Sequence, residues 1–338
     1  MDFSLPLLLL AGILIPVVSY LLVTKRITEE GRLKLPPGPK RVPVLGNLHQ
    51  LGPLPHRNLR DLAGRHGPVM LLRLGAMTTV VVSSAAAARD VMKAHDADCC
   101  SRPASPGPAR LSYGCKSISF SPYGAYWRDM RGLFAAELLG ARGVGAAWAA
   151  RREQVDRKKA QEEIRAVVAG NEQRVQPDDL PKLTYLKMVV KETLRLHPPI
   201  TLLLPRETLR RVEIGGYDVP AGSRVLVIAW AIGRDPVSWG QDAEEFEPER
   251  FEAGGRHGKV DFRGAHLELM PFGAGRRICP ALVMGVANVE FTLANMLYGF
   301  EWELSEGTLA EKVSMEEAGR LTFHRKTPLV LVPTPYVV

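Results

Sequence analysis

The chain has 338 residues, 46% of them hydrophobic, and a formal charge of +8, which is apolar material for one large core or two ordinary ones and too much for a disordered chain. The positive charge is scattered, with no aromatic residues interleaved in a basic stripe, so a nucleic-acid surface is excluded; a solvated basic face, an acidic protein partner or an anionic membrane surface remain. Four cysteines, with Cys99 and Cys100 adjacent, lack the paired spacing of a disulfide framework, as suits a protein facing the cytosol.

Residues 3–23 form an uncharged run of 21 residues. That is about the length that crosses a hydrocarbon core of roughly 30 Å. Asp2 precedes the run, and Lys25 and Arg26 follow it. A cleaved leader wants its basic residues first, so the expectation is a retained anchor with its basic side on the cytoplasm, over a cleaved signal. Leu35-Pro36-Pro37-Gly38-Pro39 is too proline-rich for helix or central strand and reads as a stiff spacer or an ordinary linker. The expected organisation is an anchor at 1–24, a basic and proline-rich hinge at 25–40, and one folded domain over 41–338.

Residues 69–74 and 78–82 are rich in β-formers and flank Gly75-Ala76-Met77, which predicts a hairpin. A short helix is expected at 85–94, followed by a loop over 101–119, where Pro103, Pro106, Gly107, Pro108 and Gly114 break regular structure. Residues 123–136 read as a helix with Trp127 and Arg131 four apart on one face, in a cation–π contact or as a packed tryptophan beside a solvated arginine. Residues 151–168 read as a densely charged, solvated helix. A helix over 181–197 stops at Pro198-Pro199 and carries Glu192 and Arg195 three apart, the spacing of a surface salt bridge. Strand-like runs follow at 212–219 and 224–230, then Pro248-Glu249-Arg250-Phe251.

The most specific stretch is Pro271-Phe272-Gly273-Ala274-Gly275-Arg276-Arg277-Ile278-Cys279-Pro280-Ala281. Apolar residues at Leu282, Val286, Val289, Leu293 and Met296 mark one face of a helix. With Pro280 at its first position, Cys279 would sit at or beside the N-cap, where a helix favours a thiolate, the form that ligates iron. Gly273 and Gly275 permit backbone conformations and close approaches that a side chain would block. Ile278 stands where a dinucleotide loop needs its third glycine. Taken alone, the cysteine is equally well a small buried hydrophobe.

The whole pattern, Phe272-x-x-Gly275-x-Arg277-x-Cys279, resembles the haem-binding loop of the cytochrome P450 monooxygenases, and the proline-rich hinge resembles that of their plant-type, membrane-anchored members. Ala281 departs from the glycine usual in the family at that place. The resemblance implies a mainly α fold with a small β region. It implies that Cys279 ligates the iron of heme b (iron protoporphyrin IX), that Phe272, Gly273 and Gly275 lie against the macrocycle, and that Trp127, Arg131, Arg277 and Arg206 face its propionates. Glu192, Arg195 and Arg250 become a buried structural network. Ser112, Ile118, Ile200, Leu203, Leu204 and Leu321 become substrate contacts. The implied reaction inserts one atom of dioxygen into a small, apolar organic substrate, with electrons from NADPH through a separate NADPH-cytochrome reductase at the endoplasmic reticulum membrane.

One family feature has no counterpart. The long helix with a small-residue kink and an acid or amide followed by threonine, which guides protons to dioxygen, is not found; Ala169-Gly170 and Ala221-Gly222 lack the matching alcohol and helical context. Arg131 and Glu192 are 61 positions apart, too few for the helices the family places between them. The fold is therefore expected to be incomplete in its central helices, with a junction near 157. The alternatives to an active monooxygenase are a haem-binding but catalytically impaired protein and a non-functional truncated form.

Overall fold

The computed structural model describes residues 33–112, 114–137, 158–168, 174–305, 313–319 and 322–336. The expected anchor, the junction near 157 and Leu321 lie outside the described residues. In chain order the elements are α1 (Pro55–His66), β1 (Val69–Leu74), β2 (Met77–Val82), α2 (Ala85–Arg89), α3 (Pro106–Leu111), α4 (Ala125–Glu137) and α5 (Lys158–Val167). Then come α6 (Thr184–Leu196), β3 (Arg206–Glu207), β4 (Val212–Ile214), β5 (Tyr217–Val219), β6 (Arg224–Val227), α7 (Ala229–Ile232) and α8 (Pro236–Trp239). The chain ends with α9 (Leu282–Gly299), β7 (Phe300–Leu304), β8 (Glu317–Gly319), β9 (Phe323–Arg325) and β10 (Leu331–Pro335). The architecture is mainly helical with a small β region.

Strand periodicity organises the half of the core around the sheet. The largest sheet runs β1-β2-β6-β3, with β2 and β6 parallel and the other pairs antiparallel. Val80, Val81 and Val82 are all fully buried, because successive side chains take opposite faces. Val80 and Val82 join Val91, Met92, Val225 and Val227 on one face, while Val81 joins Leu59, Leu62, Leu72 and Leu226 against α1 on the other. The hairpin turn is tight because Gly75 supplies φ 63.

Helices make the other half. Ile164 of α5, Leu186 of α6 and Leu297 of α9 are buried in one cluster, and Leu282 and Val286 of α9 pack with Trp239, Phe251 and Phe262 in another. The charged helix expected at 151–168 is thus not a solvated one where it is described. Ala160, Ile164 and Val168 recur every fourth position, so a buried stripe runs beneath the charge, and Gln161 donates from within it to the Leu297 and Phe300 carbonyls.

Other boundaries also differ. The stretch expected as loop at 101–119 contains α3, whose first helical position is a proline, where the missing N–H loses no bond. Residues 85–94 form α2 followed by one wide π-helical turn at Asp90–Ala94. Ala229 and Trp230 belong to α7 and not to a strand. The helix after Cys279 begins at Leu282, with Ala281 at its N-cap. Pro280 and Ala281 form a turn first, closed by Leu282 N–H donating to the Cys279 carbonyl at 3.4 Å, so the cysteine stands outside the N-cap position.

Candidate cofactor site

The loop carrying Cys279 is held by its own backbone. Cys279 N–H donates to the Phe272 carbonyl at 2.9 Å, Ile278 N–H to Gly275 at 3.0 Å and Gly273 N–H to Met270 at 3.0 Å. Gly273 and Gly275 both have positive φ, 71° and 66°, but they serve different neighbours. A Cβ on Gly273 would meet nothing within 4 Å, whereas one on Gly275 would lie 2.3 Å from the Met92 carbonyl oxygen. Gly273 therefore opens towards a cavity, and Gly275 lets the loop press on the π-helical turn. The sequence could not separate these two roles.

The cavity, about 330 Å3, is lined by Cys279 together with Phe272, Gly273 and Arg277 from the loop, Trp127 and Arg131 from α4, and Arg206 at the start of β3. Ile118, Ile200, Leu203 and Leu204 form apolar wall. Ser112 and Gly275 do not line it; the Ser112 hydroxyl donates instead to the Pro108 carbonyl within α3. The turn at 319–323 reaches the neighbourhood through Phe323 N–H, which donates to the Pro199 carbonyl at 3.2 Å. Away from the cavity, Arg195 makes a two-bond fork on Glu192 (2.7 Å each), and Arg250 Nε donates to the same carboxylate at 3.0 Å.

Arg102 also lines the cavity and was not singled out from sequence. Its Nε donates to the Ser119 carbonyl, and its Nη1 to the Leu204 and Pro205 carbonyls, so one buried side chain ties two walls together. Burial pulls its pKa down to about 9. The one sequence sign was an arginine beside proline in a stretch whose composition reads as loop.

Trp127 is buried, its indole N–H donates to the Ile118 carbonyl at 2.9 Å, and the guanidinium groups of Arg277 and Arg131 lie 4.1 and 5.4 Å from its ring centre. The indole nitrogen already has a backbone acceptor, so the ring serves as a platform for two cations. Arg277 Nε and Nη2 reach the Cys100 and Ser121 carbonyls, while its buried Nη1 has no hydrogen-bond partner among the described residues. Burial pulls the Arg277 pKa to about 10 and lowers that of Arg206; for Arg131 burial lowers it and the charge of Cys279 raises it. Against these four arginines the one carboxylate in direct contact, among the described residues, is Asp96, 3.1 Å from Arg206. The cavity has positive charge to spare.

These features fit a haem. A lone thiol with no second His, Cys, Asp or Glu on the cavity wall suits an iron whose other ligands come from a macrocycle, and the unpartnered guanidinium suits an acidic edge. The sequence profile of the Cytochrome P450 family matches residues 36–158 and 153–332. The chain belongs to the cytochrome P450 family. Its relatives include plant oxime monooxygenases. It is 40% identical to 4-hydroxyphenylacetaldehyde oxime monooxygenase of Sorghum bicolor over 507 aligned positions, which cover 96% of this chain and 94% of the relative. It is 31% identical to 2-methylbutanal oxime monooxygenase of Manihot esculenta (96% of each chain), and 33% identical to a phenylacetaldehyde oxime monooxygenase of Prunus mume (90% of each chain). By family the chain is an oxidoreductase, and the cofactor of a cytochrome P450 is haem.

Proposed function

We propose that Cys279 is the iron ligand of heme b in this chain, that Arg131, Arg206 and Arg277 receive the haem carboxylates with Trp127 as their platform, and that the substrate is a small aldehyde oxime. The observation that carries this reading is the convergence of a single thiol and under-paired buried arginines on one cavity. When bound, a thiolate-ligated haem supplies electron density that favours cleavage of the O–O bond. The protein's part is to hold the carboxylates, exclude water with Ile118, Ile200, Leu203 and Leu204, and orient an apolar oxime beside the iron. The oxime class is supported by the names of three relatives. Electrons come from NADPH through a separate reductase, and the uncharged run at 3–23 anchors the chain in the endoplasmic reticulum membrane.

The test is spectroscopic. The reduced protein with carbon monoxide gives the red-shifted Soret band of thiolate-ligated haem, and Cys279→Ser abolishes it. A flat trace from the unmutated chain would sink the haem reading; an unchanged band in the variant would reassign the ligand. Titration with the three oximes perturbs the same band if they enter the cavity.

A second reading, that this form turns over poorly, has its own support. The two profile segments overlap at 153–158, around the expected junction, and the alignment with the sorghum relative is longer than the 338-residue chain. No residue lining the cavity, among those described, carries a carboxylate, and Ser119 has the one hydroxyl. On α4, Leu133 stands 57% exposed, as an apolar position that has lost its cover would. Oxygen-dependent product formation with reductase and NADPH separates the readings: efficient turnover would overturn the second.

A further inference from the structure

A second basic hollow, about 610 Å3, lies between the hinge and the β1–β2 turn and shares no lining residue with the cavity beside Cys279. Its walls carry the guanidinium groups of Arg41, Arg73 and Arg224 against one carboxylate, Glu207, with Leu33, Leu35 and Met77 on the apolar side. Arg73 donates to the Thr78 hydroxyl at 2.6 Å. Arg224 is under-paired. Its Nη2 meets only long contacts, to Ser105 Oγ at 3.4 Å and Met77 Sδ at 3.6 Å, and its buried Nε has no hydrogen-bond partner among the described residues. Guanidinium groups with donors to spare are receptors for a phosphate oxyanion.

An independent observation concerns what surrounds the hollow. Residues 42–48 fold onto the β1–β2 turn, through Asn47 N–H on the Arg73 carbonyl (2.6 Å) and Gly75 N–H on the Leu45 carbonyl (3.2 Å). They expose Val42, Val44, Leu45 and Leu48 beside Met77, with Val44 at 90% and Leu45 at 54%. Val44 has φ 64, a left-handed backbone that a β-branched residue rarely adopts. The strain keeps an apolar side chain in solvent that an ordinary turn would give to glycine. Exposed apolar residues rimmed by cations match the chemistry of an anionic bilayer interface.

Chain length brings the two together. Leu33 lines the hollow, and the uncharged run ends at Val23, ten residues earlier. Ten residues span at most about 36 Å fully extended.

We propose that this hollow binds the phosphate of an anionic phospholipid through Arg73 and Arg224, with Val44 and Leu45 set among the acyl chains, so that the folded domain grips the bilayer separately from its anchor. This rests on the anchored reading given above. The same chemistry would accept free phosphate, and the test distinguishes them.

The full-length chain is reconstituted in discs of phosphatidylcholine with or without phosphatidylserine, and amide hydrogen exchange is read at 42–48 and 73–78. Phosphatidylserine slows exchange there about tenfold. Arg224→Gln removes the lipid dependence and Leu45→Asp weakens it, with exchange of α1 unchanged in both as the sign that they are folded. Inorganic phosphate added to neutral discs leaves the rates as they were. Equal exchange in the two discs, or a phosphatidylserine effect that survives in an Arg73→Gln, Arg224→Gln chain, overturns the proposal; slowing by inorganic phosphate alone overturns the lipid as its source. Co-elution with neutral discs reads the anchor separately. A chain that fails to co-elute has lost the anchored reading, and its Arg224-dependent recruitment to phosphatidylserine discs, or the absence of recruitment, still decides the hollow.

Discussion

Around Glu192, every guanidinium donor of Arg195 is used: two bonds go to the Glu192 carboxylate, and others to the Gly233, Ala243 and Glu245 carbonyls. The carboxylate also takes Arg250 Nε and the Glu247 N–H. Around the cavity beside Cys279, four arginines share one carboxylate, and Arg277 retains a buried donor without a partner among the described residues. Both clusters are built from arginine in low-dielectric surroundings, where an unpaired charge is far more costly than in water. The first closes on itself and belongs to the fold. The second closes only around an anion that the chain does not itself provide, which marks it as a binding site.

Three substitutions test that contrast. The largest effect is expected at Glu192→Ala, which strands Arg195 and Arg250 and lowers the stability of the haem-free chain by ~3–5 kcal/mol, read by urea unfolding. Arg131→Gln should do the reverse: it changes haem-free stability by less than ~1 kcal/mol, while haem dissociates about tenfold faster, the worth of one charge-assisted hydrogen bond of ~1.5 kcal/mol. Transfer of haem to an apo-globin measures this, and a rate equal to that of the unmutated protein would remove Arg131 from the site. The smallest effect lies at His56, an intermediate case, paired to Glu317 through Nε2 at 3.2 Å and unpartnered at Nδ1 among the described residues. Burial holds its pKa below 6.5 despite Glu317. The unfolded chain then takes up the proton first as pH falls through 6.5, so His56 subtracts stability on acidification. His56→Gln should flatten the fall in stability between pH 7 and 5.5, and an unchanged slope would show that other groups set it.

Sequence made one side of the contrast easier to read than the other. Cys279, Arg277, Trp127 and Arg131 lie in short-range patterns, and the hairpin at Gly75 has a turn signal that acts locally. Arg102 has neither advantage: its acceptors at Leu204 and Pro205 are 102 and 103 positions away, and nothing nearby tells a buried arginine from a solvated one. The stripe Ala160, Ile164, Val168 was masked by the charges between its members. The onset of α9 was displaced by two residues because Pro280 suits a preceding turn as well as a first helical position.

The carboxylate of Asp96 accepts from Arg206 Nη1 at 3.1 Å and from the Arg276 N–H at 2.8 Å, next to the place where Gly275 presses on Met92. Asp96 and Arg276 are 180 positions apart in the chain. At a synthesis rate of about 5–20 residues per second, Asp96 leaves the ribosome's catalytic centre roughly 9–36 s before Arg276 is added. Through that interval the N-terminal wall of the cavity exists without the loop that completes it. Whatever Cys279 holds is therefore captured at the end of synthesis or after it, and a cell short of that ligand would accumulate chains finished in length but open at this seam.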